Sequence, residues 1–474
     1  MSSIIGREAE IGRLEQCMKE VDAQLIILYG RRRIGKTYLI NEFFNGRFDY
    51  KLTGANQEGK DVQLRHFAEE LSDHLQKKID VPQNWDAAFR LLRQYIDSLP
   101  KEDKKVVFLD EMPWLDTMHS DFLSSFEYFW NSYGSSVHHL IMIVCGSASS
   151  WMIKNIIENK GGLFNRKTCS IYLRPFTLRE TESYLASRGI IWSRYDIAEC
   201  YMAVGGIPYY LSLFTSDRTL SDNLDNLFFR KRAELWNEFS QLYRTLFSNS
   251  DQYIRIVEAL STKRSGLTRE EISKITGIAY NGKLSKMLKD LSDSDFVQEE
   301  GKFAGKGQDT RFRLKDYYSW FYFKFIKDKS GRDEHFWKNS YRSPEKLAWC
   351  GLTYEQICKD HIPQIKQKLG ISGVLSEESS WFLKGDHENQ GAQIDLLIDR
   401  KDHVINICEI KYSTGEYTIN KEYDMNLRNK IAAFMNATKT KKTIQTTMIT
   451  TYGVKQNMYS SLINTQVVLD DLFQ

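Results

Sequence analysis

Short, continuously apolar runs in the first third of the chain predict buried strands. Residues 25–29 and 140–145 are the clearest of these runs, and residues 106–109 form the apolar part of a strand predicted at 104–109. Runs without polar alternation are typical of a parallel sheet that is covered on both faces. Apolar residues at helical spacing follow the first run at 38–44. The pattern predicts an α/β fold built on a parallel sheet.

The pattern changes twice further along the chain. Three segments have helical periodicity, and they are residues 253–260, 267–275 and 282–291. In the second of them Thr268 and Glu271 are spaced as a capping box. Two short strands joined by a Gly-rich stretch then predict a β-hairpin over residues 296–314. From about Trp349 the order becomes helix, several strands, helix and strand.

These changes divide the chain into segments. Its 474 residues would give about three domains at roughly 150 residues each. We predict four segments, because a helical stretch separates the first sheet from the three short helices. Their boundaries are 1–175, 176–245, 246–330 and 331–474.

A complete phosphate-binding motif begins directly after the first predicted strand. It has the form G-x-x-x-x-G-K-[ST] and consists of Gly30, Arg31, Arg32, Arg33, Ile34, Gly35, Lys36 and Thr37, followed by Tyr38. The glycines let backbone N–H groups turn toward phosphates, and the helix start adds partial positive charge. Lys36 would reach the β- and γ-phosphates, and the Thr37 hydroxyl would ligate Mg²⁺. Because strand, loop and helix surround the motif, an ATP site is favoured over a chance match.

Two carboxylates end the strand predicted at 104–109. Ligands of open α/β sheets bind at the carboxyl ends of the strands, so Asp110 is expected beside the phosphate loop. Asp110 would hold Mg²⁺, largely through water, and Glu111 would polarise the attacking water. A solvated acidic turn is the alternative for such a pair on its own. Its occurrence together with the phosphate loop favours ATP hydrolysis.

Small polar residues follow the strand predicted at 140–145. Ser147, Ser149 and Ser150 stand where a side chain would contact a γ-phosphate or its attacking water. An equally good interpretation is that Ser149 or Ser150 caps the helix before Trp151. The two interpretations are compatible with each other.

Segments on both sides of the phosphate motif resemble the prokaryotic and archaeal ATPases of the AAA/STAND group. Residues 4–10, with Gly6 and Arg7, are similar to the group's hhGRExE signature, and residues 205–209, with Pro208, are similar to its G-x-P element. The resemblance implies that Gly6 and Arg7 help to hold the adenine. It also implies that Pro208 lies in a helical lid that closes on the nucleotide. By its residues alone, the second segment is a helix break.

The same resemblance implies a role for Arg166. It lies roughly where AAA-type ATPases carry an arginine finger that stabilises transition-state charge in a neighbouring subunit. This role would imply a homo-oligomer that forms on ATP binding. A solvated position is the favoured alternative for this side chain.

The helices and hairpin predicted within 253–314 resemble a winged helix-turn-helix. Such a module would place its third helix in the major groove of DNA. Lys283, Lys286 and Lys289 recur at intervals of three on that helix and suit phosphates more than base edges. A protein–protein or interdomain adaptor is an equally good interpretation. The aromatic run at 316–326 is interpreted as a core helix that leads to the next domain, in preference to a base-stacking surface.

Three carboxylates and a lysine stand at suggestive positions in the last third. Glu355 lies in an opening helix, Asp395 in one predicted strand, and Glu409 and Lys411 at the end of the next. A strand's period of two places Glu409 and Lys411 on one face. Carboxylates and a backbone carbonyl would offer Mg²⁺ or Mn²⁺ hard oxygen ligands, and Lys411 would activate a water. An exposed Glu–Lys pair would look identical in sequence.

This arrangement resembles the PD-(D/E)XK nuclease superfamily. The resemblance implies that Glu355 is the acidic residue borne by the helix and that Glu355, Asp395 and Glu409 are metal ligands. Ile394 replaces the proline of the superfamily's name. Proteins that join such a core to an ATPase sometimes use it for purposes other than cleavage.

Composition places the chain among ordinary soluble globular proteins. It is 42% hydrophobic and 27% charged, and its net charge of +3 neither implies nor excludes a nucleic-acid partner. No apolar run approaches the ~20 residues of a membrane helix, and the N-terminus has no signal-peptide pattern. The seven cysteines are scattered without a C-x-x-C pair, which argues against zinc and against a disulfide framework. We expect a cytoplasmic protein without a membrane partner.

The motifs together predict an α/β protein with a P-loop ATPase sheet, a helical lid, a winged helix-turn-helix and a C-terminal PD-(D/E)XK-like α/β domain. The first hypothesis is an ATP-hydrolysing enzyme that acts on nucleic acid through an ATP-regulated, metal-dependent nuclease-like domain. The second is a signalling or scaffold ATPase whose C-terminal domain binds a partner without cleavage. A nucleotide sensor with negligible turnover is a third. The expected cofactors are ATP and Mg²⁺, with Mg²⁺ or Mn²⁺ at the C-terminal site.

Overall fold

The chain forms two compact units, each discontinuous in sequence. The computed structural model describes residues 4–159, 161–163, 166–263, 265–301, 303, 310–327, 333–383 and 391–474. The first unit comprises Met1–Pro175, Ile207–Tyr209 and Leu242–Ser248, and the second comprises Phe176–Gly206, Tyr210–Gln241 and Asn249–Gln474. The chain therefore passes between the units five times, at 175/176, 206/207, 209/210, 241/242 and 248/249.

A five-stranded parallel sheet forms the centre of the first unit. Its strands are β1 Gln24–Tyr29, β2 Tyr50–Thr53, β3 Lys105–Asp110, β4 Leu140–Gly146 and β5 Cys169–Tyr172. Their order is β2-β3-β4-β1-β5, and all neighbours pair in parallel. The helices of this part are α1 Glu8–Lys19, α2 Lys36–Phe43, α3 Lys60–Leu75, α4 Trp85–Ser98, α5 Met112–Leu115, α6 Phe122–Ser132 and α7 Ser149–Met152. The predicted α/β fold with a parallel sheet is confirmed.

Burial explains why these strands lack polar alternation. Every residue of β3 and β4 is buried, as a strand covered on both faces requires. Helix α4 contributes the buried side chains of Trp85, Phe89 and Leu92 from one face. Trp85 meets Phe122 of α6 edge to face, with ring centroids 4.7 Å apart. Each large apolar side chain buried in this way contributes about 1.5–3 kcal/mol.

Helices dominate the chain between the first sheet and residue 293. They are α8 Leu178–Ser187, α9 Arg194–Val204, α10 Pro208–Leu211, α11 Leu220–Leu224, α12 Glu238–Leu246, α13 Ser250–Ser261, α14 Arg269–Thr276 and α15 Gly282–Asp293. The predicted capping box of α14 is confirmed, because the Thr268 hydroxyl accepts from the Glu271 N–H and the Glu271 carboxylate accepts from the Thr268 N–H.

A small antiparallel sheet combines one strand that precedes α14 with two strands that follow α15. Its strands are β6 Leu267–Thr268, β7 Val297–Glu300 and β8 Arg311–Leu314, in the order β6-β8-β7. The strands predicted for the hairpin are therefore present, while its Gly-rich connection at 304–309 lies outside the described residues. We call residues 250–314 the helix–hairpin segment.

The last third of the chain is built on a second five-stranded sheet. Its strands are β9 Ser376–Leu383, β10 Ala392–Arg400, β11 Val404–Lys411, β12 Thr443–Thr450 and β13 Thr465–Val468. The helices of this part are α16 Tyr317–Phe321, α17 Phe336–Asn339, α18 Pro344–Asp360, α19 Ile362–Lys368 and α20 Lys421–Thr438. The order β13-β12-β11-β10-β9 combines parallel pairing of β11, β12 and β13 with antiparallel pairing of β9, β10 and β11.

Two helices cover opposite faces of this sheet. Ile407 of β11 belongs to an apolar cluster with Phe434 of α20. The next residue, Cys408, lies beside Cys358 of α18. Since successive strand residues point to opposite faces, α20 covers one face and α18 the other.

The aromatic run at 316–326 lies in the core of the second unit. All five residues of α16 are buried. Phe321 packs against Trp337 and Trp349, with ring centroids 5.1 and 5.5 Å away. The interpretation of this run as a core helix, in preference to a base-stacking surface, is confirmed.

Two further expectations from composition have structural counterparts. None of the helices within the described ranges is long and apolar enough to span a bilayer. All seven cysteines are buried and have free thiols.

Candidate nucleotide site and C-terminal carboxylates

The phosphate loop connects the buried strand β1 to helix α2 in the first unit. Gly30 has φ of +143°, and a Cβ there would lie 2.4 Å from the Leu173 carbonyl oxygen. Gly35 has φ of +86° and is the N-cap of α2. Both positions therefore require glycine, the first for space and conformation and the second for conformation alone. Such a turn between a strand and a helix allows backbone N–H groups and the start of α2 to bind a phosphate.

Lys36 lies at the first turn of α2 with its ammonium inside the loop. The residue is only 4% exposed. Its Nζ donates to the carbonyl oxygens of Gly30 and Arg31 at 3.0 and 2.9 Å. These contacts hold the single ammonium within reach of any phosphate that the loop surrounds.

The carboxyl end of β3 meets the loop at Thr37. The Thr37 hydroxyl donates to Oδ2 of Asp110 at 2.8 Å. Asp110 is 3% exposed, and its Oδ1 accepts from the Glu111 N–H at 3.0 Å. An adjacent hydroxyl and carboxylate supply oxygen ligands of the kind that Mg²⁺ prefers. The residues present therefore fit a magnesium ion at this point.

Glu111 is held by the neighbouring strand. Its Oε2 accepts from the backbone N–H and the hydroxyl of Ser147, at 3.0 and 2.8 Å. Because β3 and β4 are neighbours in the sheet, the residues that follow the two strands meet at the same edge. Sequence reasoning expected Ser147 to contact phosphate or water and missed its contact with Glu111.

The alternative prediction that Ser149 or Ser150 caps the helix before Trp151 is wrong. Helix α7 begins at Ser149, and its N-cap is Ala148, which offers no side-chain cap. Ser149 is fully buried inside the first turn of that helix. Neither Ser149 nor Ser150 therefore occupies the capping position.

Arg7 lies beneath the phosphate loop and is 5% exposed. Its guanidinium donates to the carbonyl oxygens of Arg174 and Ile34, at 2.7 and 3.3 Å. It thus ties the residues after β5 to the loop, a contact that the sequence did not predict. Both Gly6 and Arg7 have left-handed backbone, with φ of +66° and +69°.

The segment around Pro208 also meets the loop within the first unit. The Tyr209 N–H donates to the Arg33 carbonyl at 3.4 Å. The Arg33 guanidinium lies 4.0 Å from the centre of the Tyr209 ring, which is cation–π distance. The resemblance that placed Pro208 near the nucleotide is consistent with this proximity.

The remaining predicted loop residues differ in exposure. Arg31 and Ile34 are buried, Arg32 is half-buried, and Tyr38 is 54% exposed on α2. Arg166 is exposed in a turn and donates its backbone N–H to Leu163. Its exposure agrees with the solvated alternative, and no described contact assigns it a role in catalysis.

The C-terminal carboxylates do not converge on one point. Asp395 of β10 and Glu355 of α18 line the same cavity. Glu409 belongs to the same face of β11 as Ile407, the face that α20 covers. A shift of register between Ile394 and Leu397 interrupts the pairing of β10 with β9, and strand periodicity alone does not reveal it.

Two lysine ammonium groups and a tyrosine hydroxyl contact the Glu409 carboxylate. Lys430 of α20 donates to both oxygens at 3.0 Å, and Lys411 and Tyr423 each lie 3.0 Å from Oε1. Burial alone would raise the pKa of Glu409, but the Lys411 and Lys430 cations outweigh it and hold that pKa below its usual range. The prediction that Glu409 and Lys411 share a face is confirmed by their contact.

The C-terminal metal centre stays a prediction that the described residues do not support. Across the described ranges, no three His, Cys, Asp or Glu side chains gather as metal ligands. Glu355 and Asp395 line one cavity, whereas the Glu409 carboxylate contacts Lys430 and Lys411.

The lysines of the predicted DNA-reading helix are on its surface. Lys283, Lys286 and Lys289 of α15 are exposed, while Leu284, Met287 and Leu288 are buried. Lys289 lies 3.5 Å from Asp293 on the same helix. Lys283 and Lys286 are accordingly the better placed of the three to contact a polyanion.

Comparison with known proteins matches the first part of the chain to one family. Residues 4–214 match a family described as an ATPase domain predominantly from Archaea. An uncharacterized protein of Methanocaldococcus jannaschii is 24% identical over 414 residues, which is 86% of this chain and 87% of that protein. An uncharacterized ATP-binding protein of the same organism is 49% identical over 43 residues, or 9% of this chain and 73% of that protein.

Among solved structures, the chain is similar to a Walker-type ATPase of Pyrococcus abyssi. The identity is 16%, the TM-score is 0.49, and the match covers 68% of this chain and 96% of that one.

Proposed function

We propose that this chain, of which residues 4–214 match a family described as an ATPase domain predominantly from Archaea, hydrolyses ATP as a molecular switch. The observation that carries the proposal is the hydrogen bond from Thr37 to Asp110, next to the buried Lys36. It brings the phosphate loop and the acidic end of β3 together. A phosphate loop that only bound phosphate would not need Glu111 held at the same edge.

Each residue of the site has a distinct task in this reaction. The loop N–H groups, the start of α2 and Lys36 bind the phosphates and orient the terminal one. Glu111 accepts a proton from the attacking water while the water oxygen bonds to the terminal phosphorus and the bond to ADP breaks. Ser147 orients the Glu111 carboxylate by donating to it. Mg²⁺, when held by Thr37 and Asp110, supplies positive charge that offsets charge on the phosphate oxygens.

Two variants test this assignment. Lys36→Ala removes the charge-assisted contacts to phosphate and is expected to weaken ATP binding about 100-fold, measured by calorimetric titration. Glu111→Gln keeps the shape of the side chain but removes the base, so ATP binding persists while turnover falls about 10²–10⁴-fold. Glu102→Gln, an exposed position before β3, is the matched control.

The outcomes separate the hypotheses. Unchanged ATP affinity in Lys36→Ala would contradict the phosphate site. If native protein and Glu111→Gln both bind ATP tightly and neither turns it over, the protein is a nucleotide sensor.

We also propose that the helix–hairpin segment acts as a winged helix that binds nucleic acid through α15. The exposed Lys283 and Lys286 on a helix whose opposite side is buried support this proposal. Their charges would contact backbone phosphates and release counterions, which makes binding weaken as salt rises.

A pair of substitutions on α15 tests this proposal. Replacing both Lys283 and Lys286 by Ala should weaken binding of a labelled DNA duplex. It should also reduce the magnitude of the negative slope of log affinity against log salt by about 2. The exposed Lys421→Ala at the start of α20 is the control. Equal affinity and equal slope for the double variant would favour the adaptor role, in which the segment contacts protein.

Cleavage of nucleic acid by the C-terminal sheet is a second candidate function. Its support is that Glu355 and Asp395 line one cavity. A nuclease assay with Mn²⁺ or Mg²⁺, with and without ATP, should show cleavage that Asp395→Ala removes and that Asp402→Ala, in the exposed β10–β11 turn, retains. If the native protein cleaves neither DNA nor RNA, single- or double-stranded, the C-terminal domain binds a partner without cleavage and the ATPase is a scaffold or signalling switch.

A further inference from the structure

A buried carboxylate on the hairpin contacts two cations in the second unit. Glu300, at the end of β7, accepts from Arg313 of β8 at 2.8 Å and from Lys359 of α18 at 3.0 Å. The side chains of Arg313 and Lys359 are both 8% exposed, and that of Glu300 is 15% exposed. The Ser380 hydroxyl of β9 donates to the second Glu300 oxygen at 3.4 Å. One anionic group thus receives a guanidinium, an ammonium and a hydroxyl.

These groups form part of the wall of a cavity of about 320 Å³. This volume is at the small end of the range of about 300–1,000 Å³ that ligand sites occupy. The helix–hairpin segment and the C-terminal sheet both contribute to its lining, which comprises Lys263, Ser265, Glu271, Glu300, Gly301, Arg311, Arg313, Glu355, Lys359, Ser380, Trp381, Phe382, Gln393 and Asp395.

A second carboxylate in the wall of this cavity also contacts two cations. Glu271 lies 2.6 Å from Lys263 and 3.5 Å from Arg311. Two carboxylates therefore contact four cations, which leaves a net charge of +2 among these six groups. The other charged lining residues, Glu355 and Asp395, lie on α18 and β10.

The two cations determine the direction in which the pKa of Glu300 shifts. Burial alone would raise the pKa of the Glu300 carboxyl, but Lys359 and Arg313 outweigh it and hold that pKa below its usual range. Burial, together with repulsion from Arg313, lowers the pKa of Lys359, although Glu300 and Asp395 oppose this shift. Removing the Glu300 carboxylate would take away the anion that both buried cations contact, and they would then favour another anion able to reach them.

We propose that Arg313, Lys359 and Ser380 form a phosphate-binding site, and that Glu300 fills it as an internal competitor. A guanidinium fork, an ammonium and a hydroxyl converging on one anionic group are the donors that a phosphate requires. The phosphate is either free or part of a nucleic-acid backbone. In the second case the proposal deepens, and rests on, the nucleic-acid function of this half of the chain.

An external phosphate binds only when the Glu300 side chain leaves Arg313 and Lys359. The hairpin residue Phe303 packs against Phe434 of α20, with ring centroids 5.3 Å apart, and donates its N–H to the Ser380 carbonyl at 3.4 Å. The displaced Glu300 then returns to water and the two cations keep an anionic partner. The exchange conserves charge pairing at the buried cations, which is why a phosphate is favoured over a neutral ligand.

The test uses the full chain carrying Glu300→Gln. Thermal unfolding is measured in sodium phosphate and in sodium chloride of matched ionic strength. Phosphate should raise the midpoint for Glu300→Gln and leave the native midpoint unchanged, because a ligand stabilises only the state that binds it. Glu299→Gln, its exposed neighbour on β7, should behave as the native protein does.

A second probe identifies the source of the phosphate. A fluorescein-labelled 12-nucleotide oligo(dT) is titrated by anisotropy, and Glu300→Gln should bind it about tenfold more tightly than the native chain, as one added charge-assisted hydrogen bond allows. Adding Lys359→Met to Glu300→Gln should abolish both gains. If Glu300→Gln fails to fold, Glu300→Asp keeps the charge on a shorter arm and should show a smaller phosphate response.

The outcomes are distinct. Responses to both probes support the site with a nucleic-acid source. A response to inorganic phosphate alone supports the site and contradicts a nucleic-acid source there, whatever the α15 lysines do. No phosphate response in folded Glu300→Gln, or a response that survives Lys359→Met, would overturn the proposal.

Discussion

His361 shows how a single buried side chain can connect distant parts of one unit. It is 1% exposed, and its Nε2 accepts from the Leu178 N–H of α8 at 3.0 Å. Its Nδ1 lies 2.8 Å from the Ile357 carbonyl and is therefore the protonated nitrogen. Protonation of Nε2 would break the hydrogen bond that this atom accepts from the Leu178 N–H. Only the neutral ring fits this environment.

This geometry predicts acid sensitivity of the second unit. Burial lowers the pKa of His361 below its ordinary 6.5, although the Ile357 carbonyl and nearby Asp360 and Glu180 act in the opposite direction. The unfolded chain then binds more protons than the folded chain, so the stabilisation is complete above the ordinary pKa and is lost as pH falls below it. The slope reaches at most about 1.4 kcal/mol per pH unit for one proton.

The measurement is chemical unfolding followed at a series of pH values from 5 to 8. His361→Gln should flatten the loss of unfolding free energy below pH 6.5. His138→Gln, whose side chain is 70% exposed, should leave the slope as in the native protein. An unaltered slope in His361→Gln would contradict this account.

At the scale of single residues, contacts within one stretch of sequence could be predicted, whereas contacts between distant stretches could not. Lys36 and Thr37 are fixed by a strand, a loop and a helix that are adjacent in sequence, so their positions could be predicted. The partner of Glu111 could not, because Ser147 is brought to it by the pairing of two strands. A polar residue directly after the neighbouring strand was the available signal.

At the scale of elements, the phosphate loop depends on backbone conformations that few residues adopt. Gly30 combines φ of +143° with a space that a methyl group would overfill, since its Cβ would lie 2.4 Å from the Leu173 carbonyl oxygen. Gly12 in the middle of α1 has no such constraint, because an added Cβ would meet nothing within 4 Å. The two glycines form a natural pair for comparison.

Substituting each by alanine should change stability in opposite directions. Gly30→Ala must move the residues after β5, and we expect lower unfolding free energy together with weaker ATP binding. Gly12→Ala reduces the freedom of the unfolded chain inside a helix and should add about 0.5–1 kcal/mol. Urea titration of both variants measures the difference. A Gly30→Ala variant as stable as the native protein would show that the loop can relax.

Element types were predicted more reliably than the faces they present. Period-two alternation correctly placed Glu409 and Lys411 together on β11. The strand that holds Asp395 was also predicted, but β10 carries a shift of register between Ile394 and Leu397 that no local pattern reveals. The capping box of α14 was predictable because it lies within four consecutive residues.

At the scale of the whole molecule, an aromatic cluster connects segments far apart in the second unit. Trp337 is fully buried and donates its indole N–H to Glu199 of α9 at 2.9 Å. The Lys346 ammonium lies 4.4 Å from the centre of its ring. Trp349 packs against it edge to face at 5.6 Å. One side chain thus connects the early helices of this unit to its last third.

Truncating this side chain should destabilise the second unit as a whole. Trp337→Ala removes a large buried ring and leaves Glu199 with one donor fewer, and we expect a loss of about 3–5 kcal/mol. Tyr341→Ala, at a site 71% exposed, should cost little. Guanidinium unfolding monitored by tryptophan fluorescence and by circular dichroism measures the effect. A small loss confined to one probe would contradict a shared core.

The division of the chain into two interleaved units has a consequence for its synthesis. Residues 207–209 and 242–248 belong to the first unit, although they are encoded after the start of the second. On the ribosome, the parallel sheet can therefore emerge completely while its unit still lacks two segments. The sheet lacks the contacts of these two segments until about 70 further residues are translated, which takes several seconds at about 5–20 residues per second. A gene fragment that stops after β5 would yield the nucleotide loop on an unfinished unit, so binding studies are better done on the full chain.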